Sequence, residues 1–163
     1  MLAAPMALAA AALFTGAAAY ISLAEHPARM ALDDAAALRQ WKPAYARAVP
    51  MQAGLALLGG LAGLWAAWAS GSFLWLAGAL LLAANIPYTL ILVMPVNHRL
   101  EAIAPEEAGP HSRALLDRWG RLHLVRSLLG GVALLCMIAA PAGPDERAPR
   151  TVPSTILEAG ARA

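Results

Sequence analysis

The chain has 163 residues, of which 60% are hydrophobic and 13% charged. Soluble domains carry about 25% charged residues, so the deficit excludes an ordinary soluble core and points to an integral membrane protein of one domain. A formal charge of +2 excludes a basic nucleic-acid face, and the single cysteine, Cys136, excludes an internal disulfide and reads as a small buried hydrophobe.

Four apolar runs are long enough to cross a hydrocarbon layer of about 30 Å, which takes about 20 residues. They are Leu2–Ala24, Val49–Ala69, Phe73–Val96 and Leu122–Ala140. The first lacks a basic leader and is longer than the apolar core of a signal peptide, so it reads as a retained span. Its polar or small interruptions are Thr15, Gly16, Tyr20 and Ser22, and it ends in Glu25-His26-Pro27-Ala28-Arg29. Thr15, Ser22 and His26 fall in a narrow arc of a helix, with Glu25 beside it. Pro27 predicts a break at the end of the span.

A polar connection, Arg29 to Ala48, follows. Asp33 is placed to cap a short interfacial helix carrying Leu38 and Trp41 on its apolar side. Trp41, Lys42, Tyr45 and Arg47 are the aromatic and basic residues expected at a membrane interface; a lid over a site is the other role open to them. The second span starts near Pro50, with Gln52 just inside, and carries a small-xxx-small pair in Gly59 and Gly63, which lets helix backbones approach closely. Trp65 and Trp68 mark its far interface. The tight turn Ser70-Gly71-Ser72 makes spans two and three an antiparallel hairpin.

Span three contains Asn85-Ile86-Pro87-Tyr88-Thr89, where Pro87 predicts a kink, and Asn85, Tyr88 and Thr89 share a face. It ends in Pro95-Val96-Asn97-His98-Arg99. After a polar loop the chain turns helical near His111. One face then carries Trp119, His123 and Arg126 at i, i+4 and i+7, followed by Gly130, into the last apolar run. An arginine at the edge of such a run is costly unless paired or hydrated, so this face is expected to look into a polar pocket. Residues 1–141 therefore form an all-α, up-down four-helix membrane bundle, and 142–163, rich in Pro, Gly and mixed charge, a flexible tail.

Counting spans places His26, which closes span one, His98, which closes span three, and His123, which opens span four, at the same depth on one membrane face. Convergence of three imidazoles in a four-helix pocket would suit zinc, copper or iron. Glu25 could ligate or orient a histidine, Asn97 could hold substrate, and Arg126 could pair with Glu25 or bind a phenolate or carboxylate. The chain has no HExxH, CxxC or Glu-x-x-His motif. The same face carries Arg29, Arg39, Lys42, Arg47, Arg99, Arg113, Arg118, Arg121 and Arg126, against Arg147, Arg150 and Arg162 in the tail. The positive-inside bias puts the histidine-bearing face in the cytoplasm and both termini outside.

The order and spacing of four pieces resemble a family of small four-span membrane proteins that includes the anthrone oxygenases of polyketide biosynthesis. The pieces are Phe14 to Tyr20 with Glu25-His26-Pro27-Ala28-Arg29; Trp41 with Tyr45; Pro87-Tyr88-Thr89 with Pro95 to Leu100; and Arg118-Trp119 with His123 and Arg126. Together they cover about Phe14–Ala140. The resemblance implies a four-helix membrane fold and, for some members, oxidation of a tricyclic anthrone to an anthraquinone by molecular oxygen. Many relatives are bacterial, which makes a bacterial inner membrane the expected location.

The functional expectation is a membrane oxidoreductase acting on an apolar phenolic, anthrone- or quinone-like substrate that enters from the bilayer. In one version His26, His98 and His123 hold copper or iron. In the other, His123 is a general base that removes a carbon-bound proton while Arg126 and Asn97 stabilise the enolate, with Glu25 in a supporting role. Trp119, Tyr20, Tyr88 and Thr89 are the expected substrate-binding residues. The alternative is a non-catalytic membrane protein, a metal carrier or an assembly partner. A small transporter fits less well, because the spans show no inverted repeat.

Overall fold

The structure, a computed structural model, describes residues 2–141; the expected tail, 142–163, lies outside them. Four long helices account for nearly all of the described chain: α1 (Ala3–Met30), α2 (Asp34–Ser70), α3 (Phe73–Ala102) and α4 (Pro110–Ala139). All four are long and apolar enough to cross a membrane, and their outward faces carry large apolar side chains such as Leu13, Leu61, Leu80, Leu128 and Leu135. The chain is an integral membrane protein. Each helix packs against its neighbours in sequence, and α1 closes the ring against α4, giving the up-down bundle.

Small residues allow this packing. On α2, a Cβ added at Gly59 would lie 3.1 Å from the Ala10 Cβ of α1, and one at Gly63 would lie 2.9 Å from the Ala79 Cβ of α3. On α3, a Cβ at Gly78 would meet the Ala133 carbonyl oxygen at 2.9 Å and Met137 Cγ at 2.7 Å. Overpacking a tight contact costs about 1–3 kcal/mol. Gly78→Val is therefore expected to lower the midpoint of unfolding in a mixed-micelle titration, because a backbone oxygen cannot move aside.

Asp33 caps α2, its Oδ1 accepting from the Ala36 amide at 2.8 Å. Gly71 terminates that helix in the left-handed conformation at φ 66°, which glycine adopts without strain.

Two expectations change. The interfacial helix is not separate: α2 runs unbroken from Asp34 to Ser70 through Pro43 and Pro50. Each proline forfeits one backbone hydrogen bond, yet its fixed φ suits a helix. At 37 residues and about 1.5 Å each, α2 greatly exceeds the hydrocarbon thickness, so its first turns project from the membrane. Nor does Pro27 end the first helix, which continues to Met30. Instead, a π-helical turn spans Ile21–Glu25, with the His26 amide bonded to the Ile21 carbonyl. The same device recurs on α3, where Thr89–Val93 is π-helical and the Met94 amide bonds to the Thr89 carbonyl. In both places a proline (Pro27, Pro95) follows the widened turn by two residues. Its ring would clash with the carbonyl four residues back, and the inserted residue relieves that. At Pro87 the helix is interrupted by a single turn residue, Ala84, whose amide still bonds the Leu80 carbonyl at 2.8 Å and whose carbonyl accepts from the Tyr88 amide at 3.1 Å, and Asn85 Nδ2 donates back to the Leu81 and Leu82 carbonyls at 3.3 and 3.2 Å.

Candidate active site

A cavity opens inside the α1/α3 C-terminal end of the bundle. Its walls are Ile21, Glu25 and Arg29 of α1; Trp41, Ala44, Tyr45, Ala48, Val49 and Gln52 of α2; Thr89, Val93, Met94 and Asn97 of α3; and Trp119, His123 and Arg126 of α4. Its volume is about 50 Å³, room for a few waters. Both π-helical turns border it, one through Ile21 and Glu25, the other through Thr89 and Val93. Such bulges frequently mark functional sites because they re-aim side chains. Trp119 lies twenty residues before Ala139, about 30 Å at 1.5 Å per residue, so the cavity starts at the membrane edge and runs inward.

The α4 face supplies three walls in succession. The Trp119 and His123 rings stack with centroids 4.9 Å apart. Trp119 also meets the edge of Trp41 at 6.1 Å, and Trp41 stacks on Tyr45 at 4.7 Å. His123 is buried. Its Nδ1 lies 3.1 Å from Ser22 Oγ, Ser22 Oγ lies 2.8 Å from Ser127 Oγ, and Ser127 Oγ lies 2.9 Å from the Ala18 carbonyl.

Proton counting orients this chain. A carbonyl only accepts, so the 2.9 Å contact uses the single Ser127 hydroxyl proton. Ser22 then donates to Ser127, and His123 Nδ1 must carry the proton it gives to Ser22. That leaves the Nε2 lone pair free, and among the described residues Nε2 has no hydrogen-bond partner. Removing the Ser127 hydroxyl deletes the orienting bond. A hydrogen bond is worth about 0.5–1.5 kcal/mol, so Ser127→Ala is expected to shift the tautomer ratio by about 2–10-fold toward Nε2–H, read from imidazole nitrogen chemical shifts.

Arg126 Nη2 donates to Gln52 Oε1 at 2.7 Å, and its guanidinium lies over the Phe14 ring at 5.7 Å. Phe14 occupies the space that Gly130 leaves, where a Cβ would sit 2.9 Å from the ring. No carboxylate neutralises Arg126 among the described residues. Its Nε, Gln52 Nε2, Asn97 Oδ1 and Thr89 Oγ1 are buried without hydrogen-bond partners among the described residues, and all four residues line the cavity.

Arg29 takes the carboxylate expected for Arg126. Arg29 bonds Glu25 and Gln40, and Gln40 Nε2 donates to Glu25 at 3.1 Å. Polar clamps hold this end shut. Arg113 bonds Asp34 and the Met30 carbonyl, tying α4 to the α1–α2 turn, and Lys42 Nζ donates to the Glu101 and Ile103 carbonyls at 2.8 and 2.6 Å, tying α2 to the end of α3.

The expected site residues are thus partly gathered. Glu25, Thr89, Asn97, Trp119, His123 and Arg126 line the cavity. Tyr20 does not; it is 63% exposed on the outer face of α1. Tyr88 braces the helices instead, its hydroxyl donating to the Leu122 carbonyl at 3.2 Å. His26 fits over Gly120, where a Cβ would come within 2.1 Å of its Nε2, and lies 5.6 Å from Trp119, outside the cavity lining. His98 is exposed. Among the described residues no three His, Cys, Asp or Glu side chains form a metal-holding group, so His26, His98 and His123 do not fit a shared metal centre. Span counting sets the membrane face a residue lies near but leaves its depth and its direction around the helix open. Four contributors were not singled out as site residues from sequence: Arg29, Gln52 and the Ser22–Ser127 pair. Ser127 carried a signal, lying one turn after His123 on the same face.

No curated protein and no solved structure matches the chain. The anthrone oxygenase family matches over residues 41–136, a segment that holds the α2, α3 and α4 walls of the cavity, from Trp41 to Arg126. The chain belongs to the anthrone oxygenase family.

Proposed function

We propose that the chain is a membrane oxygenase that oxidises an apolar anthrone-like substrate, a phenolic or quinone-related fused aromatic, to the corresponding quinone. The observation that carries this reading is the pairing of one oriented imidazole with an unneutralised guanidinium in a single buried cavity. His123 Nε2 takes a proton from the methylene carbon opposite the substrate carbonyl. The electron pair left behind moves to the carbonyl oxygen, which Arg126, Gln52 and Asn97 receive.

The enolate then transfers an electron to molecular oxygen, and recombination at the ring carbon, with the proton returned from His123, gives a hydroperoxide. Loss of the second methylene hydrogen and cleavage of the O–O bond release water and leave the new carbonyl. One anthrone and one oxygen molecule thus become one quinone and one water, and no further reductant enters. The aromatic walls Trp41, Tyr45 and Trp119 flank the ring system.

Ligand pockets usually measure about 300–1,000 Å³, so a tricyclic substrate enters by displacing rim side chains such as Met94 and Val49. Met is flexible enough to yield. The positive charges of Arg39, Lys42, Arg47, Arg99, Arg113, Arg118 and Arg121 favour a cytoplasmic position for this end of the bundle, in a bacterial inner membrane. The test is oxygen uptake by the purified chain in nanodiscs supplied with anthrone. The expected result is one oxygen consumed per quinone formed, faster than in empty nanodiscs. Uptake no faster than in empty nanodiscs would instead favour a non-catalytic role.

A further inference from the structure

The cavity holds a second set of unsatisfied donors, away from Arg126. Arg29 is 2% exposed and Trp41 is 0% exposed. Both line the cavity, and Arg29 Nη1 and Trp41 Nε1 have no hydrogen-bond partner. Buried donors without acceptors are rare and costly. The Arg29 guanidinium lies over the Trp119 ring at 5.4 Å, and Trp41 meets the same ring at 6.1 Å, so the two donors belong to one end of the cavity. Arg126 and Gln52 form the other end. Trp119 and Arg126 are seven residues apart on α4, about 10 Å, and Trp41 and Gln52 are eleven apart on α2, about 16 Å.

The ends also differ in charge. Arg29 is already balanced by Glu25, whereas Arg126 is not paired with a carboxylate among the described residues. A full negative charge therefore belongs beside Arg126. Arg29 and Trp41 offer hydrogen bonds without net charge, which suits a neutral oxygen.

We infer that Arg29 and Trp41 form a second oxygen-binding subsite, which takes a neutral phenolic or carbonyl oxygen on the outer ring of the substrate. This assignment rests on the proposed substrate class: it adds that the aromatic is elongated and oxygenated at the end remote from the reacting carbonyl. His123, between the two ends, then faces the middle of the ring system.

The test uses two unreactive product-like probes, 9,10-anthraquinone and 2,6-dihydroxyanthraquinone, in equilibrium binding to the full chain in nanodiscs, corrected with empty nanodiscs. The native chain is expected to bind the dihydroxy compound about 5–10-fold more tightly, as one hydrogen bond allows. Trp41→Phe keeps the stacking on Tyr45 and Trp119 but removes the indole N–H. It should cut that preference at least by half, and anthraquinone binding that stays measurable reports that the variant is folded. Equal affinity of the native chain for the two probes, or a preference that survives Trp41→Phe, would overturn the subsite alone. Failure of the native chain to bind either probe would overturn the substrate class and this inference with it.

Discussion

His123→Gln lowers the turnover of anthrone by about 10²–10⁴-fold, the span associated with loss of a general base, or about 3–5 kcal/mol of barrier. Glutamine preserves polarity and approximate size, and its amide can still bond Ser22. It offers no basic lone pair where Nε2 stood. Because His123 is buried against Trp119 and Ser22, the substitution acts on the chemistry more than on the packing. Binding of anthraquinone, which has no proton to give, should therefore change little. The measurement is kcat beside the dissociation constant of the quinone: the first falls and the second stays within a few-fold. Equal losses in both would mean that His123 serves only to shape the cavity.

Arg126→Leu produces the second large effect, and it moves two quantities in different ways. The guanidinium stabilises charge that develops on the substrate oxygen, and removing one such donor costs about 10²–10³-fold in kcat. The same guanidinium is a burden to the resting fold. It lies at membrane depth with Gln52 and the Phe14 face as partners and no carboxylate beside it among the described residues. Charged groups there are expensive and are retained for function. The unfolding midpoint of Arg126→Leu should thus hold steady or rise while activity collapses. A midpoint that falls together with activity would make Arg126 a structural residue. Arg126→Lys should recover part of the rate, because a point charge remains but the planar fork does not.

The division between what the sequence showed and what it hid follows from geometry. Apolar run length gave four spans, their number gave the up-down order, and small residues gave the close contacts at Gly59 and Gly63. Helical spacing placed Trp119, His123 and Arg126 on one face, and all three line the cavity.

Depth and direction around each helix were harder to read. His98 shares a membrane face with His123 but not its depth: Gly78 lies against Ala133 and Tyr88 against Leu122, so in this antiparallel pair His98 sits several residues further out along α4 than His123. A short loop joins the two helices, so that offset was available from the sequence. The widened turns at Ile21–Glu25 and Thr89–Val93 were not, since each adds a residue and turns every later side chain relative to the earlier ones. Prolines also misled. Pro50 suggested the start of the second span, whereas the helix runs through both Pro43 and Pro50. Once α2 is continuous, Trp41, Tyr45, Val49 and Gln52 recur at helical spacing along one wall, and residues suited to an interface become part of the cavity.

The most direct measurement is exchange of the anthrone methylene hydrogens with deuterium oxide under anaerobic conditions, in the presence of the purified chain. Without oxygen the reaction stops at the enolate, so exchange isolates the first proton transfer. The native chain should accelerate exchange above the rate in empty nanodiscs, and His123→Gln should abolish that acceleration. Native protein that forms quinone in air yet leaves anaerobic exchange at the background rate would contradict proton removal by His123.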